Sequence, residues 1–403
     1  MNKNDFRLQT DGHRYRSKGI DGLRGIVSII IALFHFELIF PFGNKTIFGT
    51  GYLGVEFFFI LSGFLIAKSF LEKTCRNEIS ISSVIIKKII RLYPAYIIST
   101  FLLGFLYSIK WYNGNFFKWL FSEGHLKWDL FSEIFCIQVT GTSNFEYING
   151  PAWYVSALLI TSFISSIILK YFKRCYIKYI AIIIPVILYG VFFIYDPYMS
   201  PAGFVINFIP APLMRSSAGI FLGIFVYYMF KRTEPFLIKQ SYLTISILEI
   251  ILTANFIGLL ILRQASRWNY MIFIPICGLI VIMFSNKGII SKLVSLKPFQ
   301  LLGKISYSFY LVQSPCSNFI KIWLEGLGQP YVTIIYLIIN FLLAIIIYYL
   351  FEVKITYFIS MKLKKLSETI LFVKSLSSKV TEQNMQLEAL RARVKLLEEI
   401  NKK

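Results

Sequence analysis

RGIVSIIIALFHFELIFP, residues 24–41, is an almost unbroken apolar run with an arginine at its first position and a histidine past its middle. Roughly 20 such residues, wound as a helix, cross the ~30 Å hydrocarbon core of a bilayer. Nine further stretches of this kind follow, near 52–71, 92–109, 152–170, 179–195, 204–230, 243–262, 270–286, 305–322 and 331–351. The expected fold is therefore all-α: a polytopic membrane protein of about ten transmembrane helices. Pro210 and Pro212 interrupt the sixth stretch, which predicts a kinked or partly re-entrant helix there. Composition agrees. Only 16% of the 403 residues are charged and 17% are aromatic, where a soluble domain carries about 25% charged residues.

The charge map sets the orientation. With the amino terminus inside, all but eight of the 42 Lys and Arg fall in cytoplasmic segments, as positive-inside bias requires. Both termini are then cytoplasmic. This clustering between apolar runs makes lipid the expected partner and excludes nucleic acid, despite a net charge of +21. Residues 1–19 form a basic cytoplasmic leader, and the first span, too long for a signal-peptide core and lacking a small-residue cleavage site, reads as a retained anchor. The five cysteines show neither paired nor metal-ligand spacing, so neither a disulfide nor a metal site is expected. The longest external connection, 110–151, is rich in aromatics and reads either as an interfacial segment or as a cover over an outward site.

Few residues are equipped for chemistry. His35 is an ionisable group placed by this map well inside the first span, where such groups are costly and default to function. Eleven helical residues separate it from Arg24, just over three turns and ~16 Å of rise, so the two share a face. Glu56 lies just below the external end of the second span, so the antiparallel spans bring it to the depth of His35. A carboxylate there would fix the imidazole tautomer and raise its basicity; the competing partners for Glu56 are Lys45 and Arg263. Arg24, Lys88 and Arg91 gather at the cytoplasmic face, as anchors or as a dock for a phosphorylated ligand. Arg215 sits within a span and needs a partner, either Glu352 or substrate. Glu352 either neutralises Arg24 or ends the last span, and Ser62 either lines a route or packs helices.

Five motifs in order resemble those of the acyltransferase-3 family of integral membrane O-acyltransferases. They are Asp21-Gly22-Leu23-Arg24 with His35; Gly54-Val55-Glu56-Phe57-Phe58 with Leu61-Ser62-Gly63-Phe64; Lys88-Ile89-Ile90-Arg91-Leu92-Tyr93-Pro94; Leu302-Gly303-Lys304-Ile305-Ser306-Tyr307-Ser308-Phe309-Tyr310-Leu311; and Phe351-Glu352. The resemblance covers about residues 18–360. It implies transfer of an acyl group, usually acetyl, from cytoplasmic acyl-CoA to a glycan or lipid-linked saccharide hydroxyl, with no tightly bound cofactor, in a bacterial inner membrane. On that basis His35 and Glu56 are the catalytic candidates, with His35 a general base or a transient acyl carrier. Arg24, Lys88 and Arg91 are the donor-binding candidates, and Ser62, Arg215, Tyr307 and Glu352 line the substrate route. The chain departs from the pattern at Glu56 (Asp in the family), Lys88 (Arg) and Gln313 (often His). It also shows no hydrolase-like domain after the last span, so any second transfer step needs another protein.

From Leu366 a heptad appears, with Leu366, Val373, Val380, Leu387, Val394 and Asn401 at one position and Thr369, Leu376, Gln383, Leu390 and Leu397 at the other. It predicts a cytoplasmic coiled coil over 366–403 and a homo-oligomer, following a membrane domain over 20–360. The rival functional reading is a transporter or flippase whose buried His, Glu and Arg relay protons or substrate; a third is an inactive scaffold.

Overall fold

The computed structural model describes residues 17–401 apart from 44–45, 74–80, 122–125, 143–146, 173, 197, 200–202, 205–208 and 262–265. The leader over 1–16, and Lys45 and Arg263 as partners of Glu56, thus lie outside the described residues. The described chain is helical: α1 (Lys18–Glu37), α2 (Gly54–Lys73), α3 (Ile81–Trp111), α4 (Phe116–Leu120), α5 (Leu126–Ile134), α6 (Trp153–Tyr171) and α7 (Arg174–Tyr195). There follow α8 (Ala211–Lys239), α9 (Tyr242–Ile261), α10 (Phe273–Met283), α11 (Ile289–Val294), α12 (Lys297–Trp323), α13 (Tyr331–Ile347) and α14 (Lys354–Asn401). Contacts divide it into one compact unit ending at Glu352 and a second from Val353.

Among the described residues, eight helical segments are long and apolar enough to cross a membrane, and the chain is a multi-pass membrane protein. The other two expected stretches are helices that miss this measure. α10 is short even with the 3₁₀ turn before it, and α12 is long but polar, carrying Lys304, Ser306, Ser308, Gln313 and Ser317. Burial explains α12, whose serines and Gln313 face protein. The same inside-out rule shapes α6, which buries Ser156, Thr161, Ser162, Ser165 and Ser166, while α7 turns Ile183, Val186, Ile187 and Ile194 outward.

Three boundaries differ from the sequence expectation. α3 starts well before residue 92, so Lys88 and Arg91 lie within the helix rather than ahead of it. Their charges interrupt the apolar run, yet Lys88 finds a protein partner and the helix continues through it. The proline pair of the sixth span does not kink it. Pro210 is the N-cap of α8 and Pro212 lies in its first turn, where a missing N–H costs nothing. α1 ends at Glu37, so His35 lies in its last turn, nearer the helix end than a span to residue 41 implies.

Two glycine contacts hold the bundle around the site. A Cβ on Gly303 of α12 would lie 2.0 Å from the carbonyl oxygen of Asp21, and one on Gly25 of α1 would lie 2.5 Å from Leu302 Cβ. The α2–α8 pair repeats the device: Gly63 abuts the Ile220 carbonyl and Gly223 that of Ile60, each with a Cβ clearance of only 1.9 Å. Such clearances admit hydrogen alone, so each helix pair packs backbone to backbone. Gly303→Ala should destabilise the protein by about 1–3 kcal/mol through overpacking. Unfolding midpoints of the detergent-solubilised protein check this, alongside Gly326→Ala, where no atom lies within reach of the added carbon.

Candidate active site

A cavity of about 120 Å³ opens between α1, α2, α3, α6 and α12. One part of its wall is cationic, from Arg24, Lys88 and Arg91. The rest is apolar or aromatic, from Val55, Phe58, Leu61, Leu65, Leu92, Tyr154, Leu158, Tyr307 and Tyr310, with Ser62 and Ser306 between them. Arg91 acts electrostatically on both Arg24 and Lys88. Three like charges around so small a volume repel one another, and an anionic ligand relieves that repulsion.

Local bonds aim these groups. Lys88 Nζ donates to Ser162 Oγ, and Arg24 lies 3.5 Å from Asp21 one turn earlier. Tyr307 Oη donates to the Leu92 carbonyl at 2.6 Å and Tyr310 Oη to the Pro151 carbonyl at 2.9 Å. Tyr154 hydrogen-bonds Ser62 and packs edge-on to Tyr310, ring centres 5.5 Å apart. Glu352 is buried, accepts from Ser308 Oγ at 2.9 Å and lies within electrostatic reach of Arg91 and Arg24. It therefore stands directly behind the cationic wall.

The loop before α6 is anchored from below. Glu133 of α5 accepts from the Asn149 backbone N–H at 3.1 Å and from Thr100 Oγ1 at 3.0 Å, which fixes the turn carrying Pro151. Burial pushes the Glu133 carboxyl up to about 7, and those hydrogen bonds pull the other way. Asn149 then donates its side-chain amide to the Leu311 carbonyl at 3.3 Å. That carbonyl is the one Pro315, lacking an N–H, leaves unbonded within α12.

His35 and Glu56 do not meet. His35 Nδ1 lies 2.9 Å from the Ile31 carbonyl. A carbonyl only accepts, so Nδ1 carries a hydrogen, and in the neutral ring Nε2 is the acceptor nitrogen. The tautomer is thus set by the histidine's own helix rather than by a carboxylate. Glu56 is fully buried and engaged elsewhere: Arg215 Nε donates to Oε1, and Tyr189 Oη donates to Oε2 at 2.6 Å. Arg215, also buried, spends Nη1 on the Met199 carbonyl at 2.8 Å and Nη2 on that of Tyr52 at 3.3 Å. The partner of Arg215 is therefore Glu56, not Glu352. The reason is helix-face geometry: Glu56, Ile60 and Gly63 share the face of α2 that packs on Arg215, Gly219 and Gly223 of α8.

Of the nine residues singled out in the sequence, the structure gathers Arg24, Ser62, Lys88, Arg91 and Tyr307 on one cavity. Glu352 stands behind it, His35 lies on the face of α1 that Arg24 presents, and Glu56 and Arg215 form a separate pair. Sequence reasoning missed Tyr154, Tyr310, Ser162 and Glu133. Tyr310 had a signal, one turn past Tyr307 in the same motif; the others had none.

A family model described as an acyltransferase domain, acyltransferase-3, matches residues 17–352. The chain belongs to that family. Its relatives include "O-acetyltransferase OatA" of Staphylococcus aureus strain MRSA252, 24% identical over 92% of this chain and 64% of the relative. The protein of the same name from strain NCTC 8325 / PS 47 is 25% identical over 84% of this chain and 57% of its own length. The chain thus spans less than two thirds of these relatives. No solved structure matches.

Removing one member of a buried ion pair strands the other charge, at about 3–5 kcal/mol. Arg215→Met should destabilise by that order, and the Glu56→Leu, Arg215→Met double variant by less than Arg215→Met alone. Denaturant unfolding in detergent, read as a double-mutant cycle, measures the coupling.

Proposed function

We propose that this protein is a membrane-bound O-acyltransferase. It moves an acyl group, acetyl, from acyl-CoA to a hydroxyl of a cell-surface or secreted glycan at the bacterial inner (cytoplasmic) membrane. The observation that carries this is the convergence of Arg24, Lys88 and Arg91 on one small cavity with an apolar and aromatic remainder. Acyl-CoA pairs several phosphate charges with a compact thioester end, and the wall offers cations to the first and carbon to the second. The OatA relatives, named as O-acetyltransferases, support the acetyl group.

The route runs along α1. His35 lies about 16 Å beyond Arg24 on the same face, so a donor held by its phosphates at the cations extends its thioester toward the imidazole. In the neutral imidazole of His35, whose Nδ1 hydrogen faces the Ile31 carbonyl, Nε2 takes the hydrogen of the acceptor hydroxyl. The alkoxide oxygen attacks the thioester carbonyl, the carbon–sulfur bond breaks, and the proton passes from imidazole to the departing thiolate. No acyl group rests on the protein in this scheme. Glu56 holds Arg215, and through it the loops at Tyr52 and Met199. With these two charges spent on each other, the proton relay a transporter requires loses two members.

In this reading α10 and α12 cross the membrane with the eight longer spans, making ten, and both termini are cytoplasmic. The tail acts as a parallel coiled coil between two copies. Leu366, Val373, Leu376, Val380, Leu387, Leu390, Val394 and Leu397 are all exposed along α14. A parallel second copy covers them. Deleting 366–403 should halve the mass measured by light scattering in detergent; an unchanged mass removes the tail from assembly.

With labelled acetyl-CoA and a glycan extract, the protein in lipid vesicles should label the glycan. His35→Ala should lower that rate by about 10²-fold or more while still binding donor. Arg91→Ala should raise the donor KM. Absence of transfer by the wild-type chain under these conditions would overturn the proposal, and label retained on denatured wild-type protein would instead make His35 or a neighbour an acyl carrier.

A further inference from the structure

Outward of the donor cavity, three buried amide side chains crowd one stretch of α12. Gln313, Asn340 and Asn149 are each 0% exposed. Asn340 Nδ2 donates to the Phe309 carbonyl and Asn149 Nδ2 to that of Leu311, each at 3.3 Å. Asn149 Nδ2 also donates to Ser99 Oγ at 3.0 Å, but four side-chain atoms are unspent: neither Gln313 Oε1 nor Nε2 has a partner, nor has Asn340 Oδ1 or Asn149 Oδ1. Buried polar groups are almost always paired, so four unmet atoms around one helical turn call for a ligand.

The helix register places Gln313 level with His35. α1 and α12 touch at Gly25 and Gly303. They run in the same direction, because Tyr336 ties their later turns together: its ring stacks on Phe36 at 4.0 Å, and its hydroxyl bonds the Ala32 carbonyl at 3.3 Å and Ser317. His35 lies ten residues past Gly25, and Gln313 ten past Gly303, about 15 Å along each helix. Their faces agree too. Gln313 follows Ser306 by seven residues, just under two turns, so it continues the face of α12 that lines the cavity. His35 continues the face of Arg24 in the same way.

We propose that Gln313 is the acceptor-orienting residue of this acyltransferase, holding a sugar hydroxyl beside His35 with Asn340 as its companion. The inference rests on the acyl-transfer reading above and names the group that meets the acceptor. The unspent atoms comprise three carbonyl oxygens and one NH₂ group. That balance favours a ligand rich in O–H donors, as a glycan is, over a carbonyl-rich one. Gln313 Oε1 accepts from a neighbouring hydroxyl of the sugar, Nε2 donates to a sugar oxygen, and the reacting hydroxyl is left to donate to His35 Nε2.

The test compares the wild-type chain with Gln313→Leu and Gln313→His in lipid vesicles, using labelled acetyl-CoA with and without envelope glycan extract. Leucine removes both polar atoms; histidine keeps one donor and one acceptor. The expected result for Gln313→Leu is donor binding and acetyl-CoA hydrolysis by water at the wild-type level, with an unfolding midpoint no lower. Transfer to glycan falls on the order of tenfold or more through a raised acceptor KM, and Gln313→His recovers most of it. Equal transfer by Gln313→Leu, or parallel loss of hydrolysis and transfer, assigns Gln313 to packing and overturns the inference. A wild-type chain that neither hydrolyses acetyl-CoA nor labels glycan fails earlier, at the acyl-transfer reading itself, and takes this inference with it.

Discussion

Gly25 and Gly303 allow the backbones of α1 and α12 to touch, and the active-site geometry follows from that contact. It fixes the lateral position of Arg24 against Ser306, Tyr307 and Tyr310, and so the mouth of the cavity. It fixes the register along the pair as well, which decides that the imidazole of His35 and the amide of Gln313 share a level. A side chain at either glycine would separate the helices, and the cations of α1 and α3 would no longer face one volume. Lipid provides no hydrophobic drive to bring helices together, so close van der Waals contact of this kind is what holds such a pair.

Much of this was readable from residues alone. Apolar runs marked the eight helices long and apolar enough to cross a membrane, and a shorter and a more polar helix at the other two places, because hydrocarbon thickness acts on local sequence. The spacing from Arg24 to His35 gave a shared face, because helical pitch is fixed. What escaped were the pairings. Depth alone put Glu56 with His35, but depth does not say which way a helix is turned; α2 turns its Glu56–Ile60–Gly63 face to α8, where Arg215 waits. The pattern Arg215, Gly219, Gly223 opposite Gly63 carried that information, in small residues rather than charged ones. Lys88 and Arg91 similarly hid the first turns of α3, since a run of charges ends a hydropathy plot although it need not end a helix. Glu133 and Asn149 could not have been found, because their partners are backbone atoms far away in sequence.

The Glu56–Arg215 pair shows how a buried ion pair serves a membrane protein. Both partners are out of water, and each has further partners that offset the cost of burial: Tyr189 on the carboxylate, and the Met199 and Tyr52 carbonyls on the guanidinium. Those carbonyls belong to the turns that enter α2 and follow α7. One ion pair thereby holds two irregular segments that lack the regular hydrogen bonding of a helix, and does so near the end of α1 that bears His35.

The two glycine-seamed pairs, α1 with α12 and α2 with α8, also set where the packing is stiff. Backbone-to-backbone contact leaves no slack for either pair to slide or splay internally. The cavity takes walls from both pairs, through α1, α12 and α2, and completes them with side chains of α3 and α6. Such seams leave the side-chain contacts around the cavity, Phe58 on Tyr154 among them, as the looser part of the packing. The protein thus joins rigid backbone seams to a cavity wall made of side chains.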